Sequence, residues 1–525
     1  MSSKPDRTER PIPLPDAGDI IFLIILFFLL FSVPNFVFGD GSTGWHLVTG
    51  EHVVKTSSIP RTDLISYTFP DSPWVAYQWL ADVIMYLFAS WTGLNGLALA
   101  VSAAISLLFL LLYERSRRAG CHFLLSVMLT VVGAVASSLH WLARPQIFTL
   151  FGVYVFVALL ESHRRGITSG ARLVAASALI MILWANLHPA FILGFVLIGI
   201  YLVSDSLGFL LFPALAPELG KRAKWLIAAG CGGLAASFIN PYGPGLLAYI
   251  FRYLQGIAVL EQTAEYESPI FHGQLQSTCF EALLLLLAVG LVLSRKRPAL
   301  PQFISCVTFA ALGLAAVRNI PLFVVVALPV VAELLANARL LPAGEAAAEP
   351  AAWWNRLGER WQRLGREFDA TERRCTMHIL PAAAVFVLAI AAANGGSLLG
   401  LPLLNSGFDP QNMPTGTLEC LRRRNLNPTA GFNFDNWGGY IRYKTGIPVF
   451  IDDRADFYGQ RFYLEYGTVS TVSPGWRDVL ERHKIEWILF PKDSRLAARL
   501  KEEPGWKLVC QDAAAELFVR APPTR

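Results

Sequence analysis

Charge is scarce in this chain: only 16% of its 525 residues are Asp, Glu, Lys or Arg, while 54% are hydrophobic. A soluble domain carries about a quarter charged residues, so this composition excludes an ordinary soluble protein. Disorder needs low hydrophobicity and high net charge, and neither is present. Cysteine is sparse too. Seven cysteines, with Cys231, Cys279 and Cys306 in or beside apolar stretches, show neither metal-ligand pairing nor a regular disulfide framework. Cys420 and Cys510 fall in a polar region, where one disulfide can form if that region lies outside the cytoplasm. Also missing are a Walker loop, a G-x-S-x-G elbow, an H-E-x-x-H motif and a Rossmann glycine fingerprint, which removes support for nucleotide-driven transport and common hydrolase chemistry. The net charge of +5 is modest and says little about nucleic acid, since in a membrane protein the placement of Lys and Arg matters more, and no nucleic-acid partner is expected.

What is present is a mean hydropathy of +0.45 and a series of apolar runs long enough for roughly 30 Å of hydrocarbon. Spans are predicted near 20–38, 83–113, 123–139, 147–160, 173–185, 190–203, 225–239, 280–293, 303–317, 320–335 and 379–393. The first follows Lys4, Arg7 and Arg10 and lacks a small-residue cleavage site, so it reads as an anchor and not a removed signal peptide. Starting from a cytoplasmic N-terminus, alternation puts the clusters at 115–118, 164–172, 221–224, 295–297 and 339–374 on the cytoplasmic side. Only Lys55, Arg61, Arg144, Arg252 and Arg318 fall in the outer loops before the last span. That asymmetry is the positive-inside pattern of a multi-pass protein of the cell inner membrane.

The expected organisation is a cytoplasmic tail (1–19), a helical transmembrane module (20–396) and an extracytoplasmic domain (397–525). Within the module lie an outer loop at 39–82 and a cytoplasmic segment at 337–376. In that segment Trp353, Leu357, Trp361, Leu364 and Phe368 recur with Arg between them, a pattern for a helix lying on anionic lipid or for a plain amphipathic linker. After 397, β-rich runs at 431–434, 448–451, 486–490, 506–509 and 516–519 alternate with helical patterns. A small α/β domain is predicted there. The fold class is therefore mainly α: a polytopic transmembrane bundle of about eleven spans with a C-terminal periplasmic α/β domain.

Polar residues that could carry chemistry collect at the predicted outer helix ends. Asp40 directly follows the first span in GDGSTGWHLVTGEH, with His46 and Glu51 close by. A carboxylate at the membrane surface can take a proton from an acceptor, though Asp beside Gly is also ordinary turn chemistry. On the same side lie His140 and Arg144, His188, Asn240 and Tyr242, Glu261, Glu265 and Glu267, and Arg318. Arg144 and Arg318 at the membrane boundary suit a lipid phosphate, or snorkel. Pro145, Pro189, Pro241 and Pro321 stand beside these groups and end or kink helices. In VFIDDRADFYG, residues Asp452, Asp453, Arg454 and Asp456 follow a predicted strand and read as an Arg-carboxylate turn network in preference to a catalytic set.

Taken together, GDGSTGWHLVTGEHVV, PRTDLISYTF, PWVAYQWLAD, ARPQIFTL, NLHPAFILG, NPYGPGLL, RNIPLF and VFIDDRADFYG resemble the motif series of bacterial GT-C-type membrane proteins. The resemblance covers most of the chain and extends to the GT-C superfamily of polyprenyl-phosphate-sugar-dependent glycosyltransferases, which includes the protein O-mannosyltransferases. It implies a donor sugar on a polyprenyl phosphate, an extracytoplasmic protein, lipid or glycan acceptor, and Asp40 as general base of an inverting transfer. His46, His140, Arg144, His188, Glu265, Glu267 and Arg318 would bind the substrate and its phosphate. Many GT-C enzymes carry two adjacent acids in the first outer loop, whereas here Asp40 is followed by Gly41. Any second carboxylate has to come from elsewhere, with Glu265 and Glu267 as candidates. No cofactor is expected, and a divalent metal is possible but not indicated. The competing expectations are a non-catalytic GT-C-like scaffold in an envelope-assembly complex and a transporter of lipid-linked glycan.

Overall fold

The computed structural model describes residues 11–211, 214, 216–255, 264–338, 360, 363–365 and 367–521. Helices dominate up to residue 393. The first six are α1 (Ala17–Phe27), α2 (Ser42–Thr56), α3 (Trp79–Arg118), α4 (Phe123–Ser137), α5 (Gln146–Arg164) and α6 (Gly170–Leu187). There follow α7 (Ile192–Leu211), α8 (Ala216–Ser237), α9 (Gly245–Gln255), α10 (Leu275–Leu293), α11 (Leu300–Ala315), α12 (Ile320–Ala336) and α13 (Leu380–Ala393). Among the described residues, seven helical stretches are long and apolar enough to cross a membrane. Shorter apolar helices at Ala17–Ser32, Leu300–Ala315 and Leu380–Ala393, together with α8, complete a helix at every predicted span. The chain is a multi-pass membrane protein.

Local chemistry sets the helix ends. Asp16 and Asp19 form a reciprocal capping box at the start of α1, with N–O distances of 2.8 and 3.2 Å. Pro145 directly precedes α5, and Pro321 occupies the first turn of α12, where the missing N–H leaves nothing unsatisfied. Helix α12 is buried along most of its length, so the bundle wraps around it. Within α3, Gly93 has φ of 66°, a conformation that suits glycine. The break separates the stretch 79–92 from the apolar run that follows it, and the predicted span at 83–113 takes in parts of both.

The predicted cytoplasmic clusters meet at one end of the bundle. Arg117 pairs with Asp369 at 2.8 Å and Glu372 at 2.9 Å, and the 123 and 368 phenyl rings stack at 5.1 Å. His378 reaches Asp19 at 3.0 Å, and Arg222 pairs with Asp205. Of the proposed interfacial helix, Trp353, Leu357 and Trp361 lie outside the described residues, as does Glu261.

The C-terminal domain packs on the other end. Its helices are α14 (Thr415–Arg424), α15 (Gly438–Thr445), α16 (Ala455–Ser470), α17 (Trp476–Arg482) and α18 (Arg495–Glu502). After a short hairpin of β1 (Ser397–Leu398) and β2 (Leu401–Pro402), its sheet contains β3 (Gly431–Asn433), β4 (Trp487–Pro491), β5 (Trp506–Gln511) and β6 (Ala515–Arg520). The strand order is β3-β4-β6-β5, with β3 parallel to β4 and the other pairs antiparallel. A disulfide joins Cys420 of α14 to Cys510 of β5. One predicted strand is corrected. Residues 448–451 do not enter this sheet; Val449 instead bridges Ser66 in the outer loop, with N–O distances of 2.9 and 3.1 Å to Tyr67 and Ile65. An extended apolar run pairs with whichever edge packing presents, and here that edge belongs to the loop after α2.

The loop itself is more ordered than its turn-rich sequence implies, because α2 is clamped against α15. A β-carbon on Gly44 would fall 2.3 Å from the Gly439 carbonyl oxygen, and one on Gly41 1.9 Å from that of Asn436. Only hydrogen fits at either position.

Candidate functional site

Three loops and one domain build a single polar cluster at this end of the bundle. Past α1 the chain turns through Phe36–Phe38 and delivers Asp40 to the start of α2. Between α4 and α5, the 143 backbone is held on both sides. Its N–H donates to the Val37 carbonyl at 2.7 Å, and its carbonyl accepts from the Thr43 hydroxyl at 3.0 Å. This sandwich sets Arg144 beside Asp40. The short turn Ala264–Tyr266 brings Glu265, and the segment pinned on Ser66 brings Asp453.

Arg144 is the hub. It forms an ion pair with Asp40, donates through Nη1 to Glu265 at 2.6 Å, and stands 3.7 Å from Asp453. Asp40 also accepts the Ser42 backbone N–H at 2.9 Å. The Ser42 hydroxyl donates to Asp453, whose other oxygen accepts the Trp45 indole N–H at 2.9 Å. Three carboxylates thus share one guanidinium in a largely buried setting, where such charges persist only when paired. Burial would raise Glu265, but Arg144, His140 and Arg318 override it and hold the carboxyl down at about 2. At Asp453 burial prevails: with Asp452 and Asp40 adding repulsion, the carboxyl is pushed up to about 7 against the pull of Arg144.

Beside this cluster, Arg454 has a separate structural task. It is buried, donates to Asp452 at 2.6 Å and Asp63 at 2.7 Å, and lies 4.6 Å over the Trp74 ring. The expected Arg-carboxylate network is therefore present in Asp452 and Arg454, while the neighbouring Asp453 turns the other way into the cluster.

The remaining sequence-predicted residues divide. His46 is buried behind the site, with Nδ1 2.6 Å from Asp82, and burial holds it well below the usual histidine range. His188 is buried against the Thr149 hydroxyl at 2.8 Å. Both sit in the packing beneath the cluster. His140 leaves Nε2 buried without a hydrogen-bond partner, and Arg144 leaves Nε in the same state. Arg318 lies 4.4 Å over the Tyr266 ring and within electrostatic reach of Glu265 and Arg144. Glu267 is exposed, and its carbonyl ties the turn to Val317 at 3.0 Å. Asp40, Arg144 and Glu265 are thus brought together, Arg318 and His140 flank them, and Glu267 stands apart. Sequence reasoning missed Ser42 and Trp45, which only the fold of α2 puts against Asp453.

Chemically, the cluster sets a guanidinium among carboxylates. Arg144 Nε and His140 Nε2 are buried without a hydrogen-bond partner, and the Arg318 guanidinium lies within electrostatic reach of both residues. Among the described residues, the set whose ligand atoms lie within 4.8 Å of one another is Asp16, Asp19 and His378, at the opposite end of the bundle, where the capping box already accounts for the two acids. At the outer cluster the guanidinium occupies the place between the carboxylates.

The bundle, the ordered loop after its first helix and the α/β domain seated over it form an architecture shared with solved membrane proteins. No protein-family model matches the sequence, and no curated protein does. Among solved structures, the chain is similar to the Archaeoglobus fulgidus oligosaccharyltransferase in its apo form. The TM-score is 0.52 at 12% identity over 90% of this chain and 69% of that one. The same enzyme tethered to an acceptor peptide containing the NVT sequon gives 0.53 at 13% identity, over 90% and 68%. ArnT from Cupriavidus metallidurans in the apo state gives 0.50 at 14% identity, over 95% and 97%. Identities this low establish the shared fold and leave the chemistry to the site.

Proposed function

We propose that this protein is an inverting glycosyltransferase that moves a sugar from a polyprenyl phosphate to an acceptor outside the cytoplasm. The observation that supports it is the convergence of Asp40, Arg144 and Glu265, from three separate loops, into one buried cluster roofed by the C-terminal domain. In this reading Arg144, Arg318 and His140 bind the phosphate and stabilise the charge that develops as it leaves. A carboxylate of the cluster takes the proton of the attacking hydroxyl, the role that the family resemblance gives to Asp40. No nucleotide or other cofactor is required. The site faces the periplasm of the inner membrane, as the lysine and arginine distribution and the disulfide in the same half support.

Native mass spectrometry on gently solubilised wild type and Asp40→Asn tests the reading. Wild type is expected to carry bare polyprenyl phosphate and the variant to retain the sugar-loaded lipid, whose mass gives the sugar class. If neither carries such a lipid and Asp40→Asn fully complements a deletion strain, glycosyl transfer is excluded and a scaffold role takes its place.

A further inference from the structure

We propose that Asp453, supplied by the C-terminal domain, is the catalytic base of this site, and that Asp40 is the positioning carboxylate that holds Arg144. The inference rests on the glycosyl-transfer reading and names the proton acceptor within it.

A general base must be stable both with and without its proton, so its hydrogen-bond partners decide its fitness. Asp40 accepts from the Arg144 guanidinium and the Ser42 backbone N–H, and both of these can only donate. A proton on Asp40 would remove the negative charge that pairs with Arg144 and holds it in the cluster. Asp453 differs at one oxygen. Its Oδ2 faces the Ser42 hydroxyl, which can donate to a carboxylate or rotate to accept from a carboxylic acid. The guanidinium is kept back at 3.7 Å, and the Trp45 indole holds Oδ1 in place at 2.9 Å.

Access favours the same residue. The Asp453 side chain is 25% exposed, whereas Asp40 is 11% exposed beneath it. The charged and titratable groups facing Asp453 include Arg144 from the loop before α5, Asp40 from the loop before α2, Tyr463 of α16 and its own neighbour Asp452. Partial burial and the two neighbouring carboxylates push Asp453 upward from the ordinary carboxylate range against the pull of the guanidinium, which makes it a stronger proton acceptor than an ordinary surface carboxylate.

The step balances as follows. The acceptor hydroxyl oxygen forms a bond to the anomeric carbon while the bond from that carbon to the phosphate oxygen breaks. The electron pair of the broken bond stays on the phosphate, beside Arg144 and Arg318. The hydroxyl proton passes to Asp453 Oδ2 and then to water.

Two measurements on the full-length protein decide the proposal. In nanodiscs of phosphatidylethanolamine and phosphatidylglycerol, infrared titration is expected to show a carboxylic-acid band with a midpoint near 7 that is absent in Asp453→Asn. A band set unchanged by Asp453→Asn overturns the proposal. In membranes of a deletion strain complemented with each variant, a panel of synthetic polyprenyl-phosphate hexoses serves as donor, and released polyprenyl phosphate is quantified. Asp453→Asn is expected to slow release by about 100-fold or more and to abolish the rise in rate with pH through 7. Asp453→Glu is expected to keep that rise, and so is the slowed Asp40→Asn. If Asp453→Asn keeps rate and pH profile while Asp40→Asn loses both, Asp40 is the base and the transfer reading survives. A wild type inert toward the whole panel overturns the transfer reading and the base role together.

Discussion

At the scale of single residues, the cluster depends on one cation serving three acids. Removing Arg144 strands Asp40, Glu265 and Asp453 without their shared counter-charge, and breaking a buried pair of this kind typically costs about 3–5 kcal/mol. Arg144→Leu is therefore expected to melt well below wild type in a detergent thermal-shift assay, and Arg144→Lys to recover only part of the loss because an ammonium lacks the planar fork. An unchanged melting temperature for Arg144→Leu would mean that the acids do not depend on it. The pH response follows from Asp453. Its folded-state value of about 7 lies above the usual 3.8, so its favourable contribution is complete below that ordinary value and is lost as pH rises through 7. Glu265, held at about 2, works in the opposite sense: its contribution is complete above the ordinary 4.5 and is lost as pH falls from there through 2. Asp453→Asn should accordingly remove part of the loss of stability between about pH 4 and 7, measured as melting temperature against pH. Asp40, Arg144 and Glu265 were legible as candidates because charge at the rim of an apolar span stands out. Asp453 was visible but read as turn chemistry, since nothing local separates it from Asp452.

At the scale of elements, contacts between the outer loop and the C-terminal domain place the site. The glycine pair 44 and 439 lets α2 and α15 touch backbone to backbone. Gly44→Val is expected to push them apart, detected as faster hydrogen exchange over 42–56 and 438–445 and as loss of lipid-linked sugar turnover. Unchanged exchange in both helices would show that the contact is dispensable. The Arg454 pair with Asp63 ties the loop after α2 to the C-terminal domain, and Arg454→Met should act in the same direction. Neither contact was readable in advance. Helix α2 sits in a stretch rich in Gly, Ser and Thr, and its burial comes from a partner about 400 positions away. The run at 448–451 was correctly extended in sequence, but its pairing edge is a tertiary choice.

For the whole molecule, apolar helices separate two polar ends of different character. One gathers the arginine clusters and their acidic partners; the other carries the cluster around Arg144, the disulfide and the α/β domain. Single cysteines placed at 373 and 493 in an otherwise cysteine-free variant should label with membrane-impermeant maleimide in intact cells only at 493. Labelling at 373 alone would invert the proposed topology. The disulfide closes a loop with a sequence separation of 90, so Cys420→Ser should destabilise the C-terminal domain by about 2–4 kcal/mol while the apolar bundle persists.

The sequence by itself determined that this chain lives in a bilayer, where its helices fall and which ends carry its basic clusters. Those properties are sums over consecutive residues: an apolar run partitions into hydrocarbon whatever surrounds it, and nearby lysines and arginines bias its orientation. Only the tertiary structure decided that residues 40, 144, 265 and 453 share one charge, that Ser42 links two of the carboxylates, and that Asp453 turns away from Asp452. An ion cluster assembled from loops more than a hundred residues apart leaves no periodic or compositional trace, because its energy appears only when separately folded pieces are packed within a few ångströms.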